Sequence, residues 1–226
     1  MSGQDDDVAP AQLVAEDLGY QLGSQQVLRG ISFAVAAGEL FAVAGPSGSG
    51  KTTLLSILGG LEPPSEGRVL LRGIDLFGLS ASARALTRAG HVGFVFQSHN
   101  LLPALTALEN VALAARPDRD SRGKARAALA ALGLGALGHR LPRALSLGEQ
   151  QRVAVARALV RTPSILLADE PTASLDGDNG ARVLDALALA AEAGAAVLVA
   201  SHDERCLVRA HRVIHLLDGK VQRLAS

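Results

Sequence analysis

Cysteine is nearly absent: Cys206 stands alone in 226 residues, so no internal disulfide can form, and nothing around it has metal-ligand spacing. A reducing cytoplasm is the compartment this implies, with the thiol buried as a small apolar group. Aromatic residues are scarce too, five Phe and one Tyr with no Trp, while Ala and Leu dominate; we read this as compositional bias. Charge of one sign is missing, because twenty-two Lys and Arg balance twenty-two Asp and Glu. The sum therefore gives no reason to expect a nucleic-acid partner or an anionic membrane surface. Uncharged apolar runs of about 18 residues are lacking, and the polar, acidic start from Met1 to Pro10 is not that of a signal peptide. Residues 1–10 are expected to be a disordered lead-in.

What is present reads as alternating strands and helices. "LVAEDLGYQL" and "GISFAVAAGE", joined by "GSQQ", suggest an antiparallel edge, and "LFAVAG" a strand buried on both faces. "GKTTLLSILGGL" has helical spacing, "GRVLLRGIDL" reads as a strand pair and "HVGFVFQ" as another buried strand. From Leu105 to Leu134 the pattern is helical, broken at "RPDRDSRG" and "GLGALG", as in an inserted helical segment. Alternation then resumes with "SILLADE", "NGARVLDALALAAEA", "AAVLVAS" and a hairpin "VIHLLDGKVQRL" turning at Asp218-Gly219. The expected fold is α/β, with a mostly parallel sheet covered on both faces.

"GPSGSGKT", Gly45 to Thr52, fits G-x-x-x-x-G-K-[ST] and lies between a buried strand and a helix. A shuffled chain of this composition gives on the order of 0.003 such matches. Gly45, Gly48 and Gly50 let backbone N–H groups close around phosphate oxygens, with Pro46, Ser47, Ser49 and Thr53 completing the turn and the helix start. Lys51 supplies a cation for the β and γ phosphates, and the Thr52 hydroxyl suits Mg²⁺. "SILLADE" ends in two carboxylates: Asp169 suits Mg²⁺ through water, and Glu170 suits orienting and deprotonating an attacking water. Together these indicate a nucleotide hydrolase or kinase, without separating kinases, helicases, recombinases and transport motors.

"LSLGEQQRVAVARAL", Leu145 to Leu159, narrows the class. Here the chain resembles the ATP-binding-cassette ATPases, whose signature Leu-Ser-Gly-Gly-Gln matches Leu145 to Glu149 with two changes. The resemblance spans nearly the whole chain. It implies a P-loop RecA-like core with an antiparallel β subdomain, 11–97 and 156–226, and a helical subdomain of about 98–155. It also implies that Tyr20 stacks on adenine, though edge-strand packing is an alternative the residue alone leaves open. Gln97 is similar to the glutamine that reaches Mg²⁺ and the attacking water, "SLD" with Asp176 is similar to the loop that crosses between cassettes, and His202 is similar to the histidine at the γ phosphate. In this family two cassettes pack head to tail, so Ser146, Gly148 and Glu149 of one copy would meet ATP held by the other.

Leu147 stands where the family usually has its first glycine, and Glu149 where glutamine is common. A leucine in a left-handed conformation costs on the order of 1 kcal/mol. We expect Leu147 to face away from ATP and leave hydrolysis intact. "FQSHNLLPALTALENVALA" resembles the cassettes of the lipoprotein-releasing, macrolide-export and glycolipid-export type, which implies an integral membrane permease as partner and a place on the cytoplasmic face of the inner membrane. Leu101, Leu102 and Leu105 suit docking to a permease helix or packing within the helical segment. From the short insertion between Gln97 and Ser146 and the end soon after "DGKVQRL" we expect no regulatory domain like that of sugar importers. A cassette serving cell-division signalling or iron–sulfur assembly is the alternative; DNA repair would need a long coiled-coil or zinc insertion. His211 and His215, on a strand, are not expected to bind metal, and His91, His99 and His139 have no partner legible in the sequence.

Overall fold

The computed structural model describes residues 11–115 and 120–222. The expected lead-in at 1–10 lies outside them. The alternating first runs form β1 (Ala11–Leu22) and β2 (Gln25–Ala36), antiparallel and joined at Gly23 and Ser24. β3 (Leu40–Ala44) is buried at every position. The phosphate loop then leads into α1 (Lys51–Leu58). β4 (Glu66–Leu71) and β5 (Ile74–Asp75) make the expected pair about Arg72 and Gly73, both at positive φ, and complete an antiparallel sheet ordered β2-β1-β4-β5.

α2 (Ala81–His91) is a helix the sequence reading did not assign. It buries no residue, and its one large apolar side chain, Leu86, is 75% exposed, so it carries no apolar stripe. The Ser80 hydroxyl, accepting from Ala83 N–H, starts it. β6 (Val92–Val95) corrects an expectation. Expected to be a buried strand, it pairs with one neighbour only among the described residues and alternates half-buried with buried positions.

Three helices follow: α3 (Ala107–Ala114), α4 (Ser121–Ala131) and α5 (Leu147–Leu159). Thr106 with Glu109, and Ser146 with Glu149, form reciprocal capping boxes that satisfy the first free N–H groups of α3 and α5. The core resumes with β7 (Ile165–Asp169), α6 (Gly177–Glu192), β8 (Ala196–Ala200), a short α7 (Glu204–Arg209), β9 (Arg212–Leu217) and β10 (Lys220–Gln222). The last hairpin turns at Asp218-Gly219, both at positive φ as a tight two-residue turn requires.

The main sheet has six strands in the order β10-β9-β3-β8-β7-β6, all parallel except β10. Strand alternation splits its side chains between two cores. Leu40, Val197, Val199, Leu166 and Ala168 face α3 to α6, whereas Phe41, Val43, Leu167, Leu198 and Ala200 face α1 and the antiparallel sheet. Because the strands are parallel, the segments after β3, β6, β7 and β8 emerge along one edge, where open α/β sheets bind ligands.

Candidate nucleotide site

The loop after β3 is a backbone device. A Cβ at Gly45 would sit on the Leu216 carbonyl oxygen, and Gly50, at φ 104, begins α1 in a conformation L side chains rarely adopt. Lys51 is buried; its ammonium donates to the carbonyls of Gly45 at 2.7 Å and Pro46 at 3.1 Å and lies 3.7 Å from Glu170 Oε1. Ser47, Gly48, Gly50, Lys51, Thr52, Thr53, Gln97, Glu170 and Val27 line a cleft of about 390 Å³. Ser49 is buried beneath it, its N–H donating to Pro46 at 3.2 Å and its hydroxyl lacking a side-chain or backbone partner. Thus the phosphate loop, Gln97 two residues past β6, and Glu170 just after β7 converge on one cavity.

At the β7 end, Thr52 Oγ1 donates to Asp169 Oδ2 at 2.8 Å. Asp169 is buried, and that burial raises its pKa, opposed by the Thr52 bond and Lys51 and reinforced by Glu170. Its Oδ1 has no hydrogen-bond partner. Glu170 lies one residue past the strand rather than ending it, at φ 46, with its N–H on the Ala200 carbonyl at 2.9 Å. Its carboxylate Oε1 lies 2.9 Å from His202 Nδ1. His202 is mostly exposed.

Gln97 follows β6 in a tight turn closed by His99 N–H on the Phe96 carbonyl. His99 and Asn100 both have positive φ, and the Arg157 guanidinium of α5 donates to their carbonyls at 2.7 and 2.6 Å. The far end of the segment is held by buried Asn110, which bonds Leu102 on both its N–H and its carbonyl. Leu101 packs against the helical core while Leu102 is 45% exposed.

The signature residues do not line the cleft. Gly148 lies against Leu175 and Ser174, so the α5 start and the turn before α6 form a second cluster. Ser146 Oγ accepts from Glu149 N–H at 3.2 Å, and Glu149 Oε2 accepts from Ser146 N–H at 2.7 Å. Glu149 therefore has a capping partner of its own. Asp176 caps α6 through Asn179, whose N–H holds its carboxyl below the usual range. Leu147 is the first residue of α5, 64% exposed, and is absent from the left-handed residues, so the strain anticipated for it does not arise.

Tyr20 is half-buried on β1 opposite Leu28, outside the cleft lining. A hydrogen bond to Glu62 raises its hydroxyl pKa. Sequence reasoning missed Val27, whose apolar strand carries no signal of a site, and the contact of Thr172 with Asp203. Among the described residues no His, Cys, Asp and Glu group has metal-site geometry; His211 Nδ1 instead accepts from Leu40 N–H at 2.9 Å. Cys206 is fully buried, which pushes its thiol up to about 12. No described helix is long and apolar enough to cross a membrane. A separate groove of about 320 Å³ along β6, between His91, Phe94, Phe96 and Arg157, carries neither the loop amides nor a carboxylate.

Residues 28–173 match the family described as ABC transporter. The lipoprotein-releasing system ATP-binding protein LolD of Aquifex aeolicus is 42% identical over 213 residues, covering 92% of this chain and 95% of that protein. The macrolide export ATP-binding/permease protein MacB of Chromobacterium violaceum is 44% identical over 201 residues, 87% of this chain but 31% of its own length. A dimeric ATP-binding cassette solved in a post-hydrolysis state with ADP and Pi shares 37% identity and superposes with a TM-score of 0.87, over 93% of this chain and 97% of that one. The chain belongs to the ABC transporter family, as one of its ATP-binding, ATP-hydrolysing cassettes.

Proposed function

We propose that this cassette drives a membrane permease of the lipoprotein-release or macrolide-export type, and that two copies close on two ATP molecules during each cycle. The observation that carries the reading is the convergence of the phosphate loop, Gln97 and Glu170 on one cleft with Asp169 and His202 beside it. Loop amides from Gly45 to Thr53 hold the phosphates, and Lys51 neutralises the β and γ oxygens. Val27 lines the cleft, and Tyr20, on the adjacent strand and outside the lining, extends that side toward the base.

The donor set fits Mg²⁺: the buried Asp169 Oδ1 is unpaired, the Thr52 hydroxyl lies next to it, and Gln97 adds an amide oxygen, all hard oxygen ligands. When bound, the ion withdraws charge from the phosphate oxygens. Glu170 accepts a proton from the attacking water as its oxygen bonds the γ phosphorus; the bond to the ADP oxygen breaks and ADP leaves with the electron pair. His202 fixes the Glu170 carboxylate on the side facing Lys51.

Ser146 and Gly148, at the start of α5, would meet the γ phosphate of a second copy, with Glu149 capping the helix and Asp176 beside the joint. Closure then requires ATP and hydrolysis releases it. The helical segment, about 98–155, carries this signature face, while 11–97 and 156–226 hold the nucleotide; exposed Leu102 is a contact for the permease. The cassette sits on the cytoplasmic side of the membrane through that permease. Service in cell division or iron–sulfur assembly is less favoured, since the similar proteins are named for lipoprotein release and macrolide export.

The test is Glu170→Gln. It should keep ATP affinity within about threefold and lose more than about a hundredfold in turnover, as removal of a catalytic base does. Turnover near wild type would remove Glu170 from the role.

A further inference from the structure

Glu170 and His202 belong to two separate loops, after β7 and after β8, and their 2.9 Å contact depends on those loops keeping register. On one side the register is set by backbone: Glu170 N–H donates to the Ala200 carbonyl at 2.9 Å, and Ser201 N–H to Val43 at 3.1 Å. On the other side it is set by a single side-chain bond, Thr172 Oγ1 to Asp203 Oδ2 at 2.8 Å. Thr172 is only 3% exposed, and Asp203 is immobilised in turn. Its N–H donates to Ser201 Oγ at 3.0 Å. Its carboxylate accepts from Arg205 N–H at 2.9 Å, capping α7, and from the Arg205 guanidinium at 2.7 Å. Glu170 sits in a left-handed turn, a conformation that surrounding contacts must maintain.

We propose that Thr172 and Asp203 form a brace that holds His202 against Glu170, making both of them positioning residues for ATP hydrolysis. The inference rests on the assignment of Glu170 as the base and deepens it. Neither residue lines the nucleotide cleft, so the brace acts on orientation and not on affinity. Arg205 extends it: its guanidinium lies against Gly180 of α6, where an added Cβ would come within 3.1 Å of it. The brace therefore also links His202 to the helix that Asp176 caps.

Steady-state ATPase kinetics on the full chain with Mg-ATP test this, using Thr172→Val, Thr172→Ser, Asp203→Ala and the Thr172→Val/Asp203→Ala pair. Thr172→Val keeps shape and loses the hydroxyl. It is expected to lower kcat on the order of tenfold, the scale of a small misplacement of a catalytic group, with KM for ATP within about twofold. Thr172→Ser should restore kcat to within about twofold of wild type, which a packing role would not do. The double variant should be no slower than the slower single variant, because both cut one contact. If Asp203→Ala fails to fold, Thr172→Val and Thr172→Ser decide the matter. Equal kcat for wild type and Thr172→Val, or a loss that Ser does not rescue, overturns the brace. Glu170→Gln run alongside separates the readings: if it retains turnover, the base assignment fails, whereas if only it loses turnover, the brace alone fails.

Discussion

Replacing Leu147 with glycine asks whether this unusual signature loop is impaired. Leu147 is the first residue of α5 and is 64% exposed, so about a third of its surface is removed from water. At about 25 cal/mol per Å² the loss of that burial is on the order of 1 kcal/mol, and glycine's lower helix propensity adds a few tenths at a helix end. No strain is relieved, since Leu147 is not left-handed. The capping box between Ser146 and Glu149 uses backbone of residues 146 and 149 and is left intact. A thermal melt should thus fall by roughly 2–6 °C, taking about 2–4 °C per kcal/mol for a domain of this size. Steady-state turnover should change by less than about threefold. A glycine variant more than tenfold faster would show that the leucine obstructs closure and that its solvent-facing position has been misjudged.

Arg157→Met removes both donors from the carbonyls of left-handed His99 and Asn100; we expect about 2 kcal/mol of destabilisation, read as a melting shift of roughly 4–8 °C, together with slower turnover as Gln97 loses its anchor. An unchanged melt would refute the clamp. Burial holds the Cys206 thiol at about 12 against an ordinary 9.0. Its folded-state pKa is raised, so the stability it contributes is complete below about pH 9 and is lost as pH climbs toward 12. Melts of wild type should therefore fall more steeply between pH 9 and 11 than those of Cys206→Ala, and the native thiol should resist maleimide until guanidinium is added. Parallel pH slopes, or rapid native labelling, would contradict the burial.

The parts of this fold that could be read early were those where local chemistry and position agree. Gly45 to Thr52 demands a strand before it and a helix after it, and "SILLADE" announces a buried strand ending in charge; both features appear where expected. α2 escaped because "ASARALTRAGH" has no apolar face to bury, and its helix rests on a serine cap. β6 reads as a buried strand because Val92, Phe94 and Val95 are apolar, but strand composition does not say how many neighbours a strand has. The site was legible as motifs and not as contacts. Thr172 and Asp203 lie 31 positions apart and meet only because β7 and β8 are adjacent and parallel. The left-handed turns at Glu170, His99 and Asn100 were equally hidden, since none of them is glycine.

Sedimentation of the Glu170→Gln chain with and without Mg-ATP tests the two-copy nucleotide sandwich most directly. With ATP the sedimenting mass should double over the micromolar range, and a further change of Ser146 to Arg, which blocks the donor face at the α5 start, should return it to the monomer. A chain that binds Mg-ATP yet stays monomeric at every concentration contradicts the account.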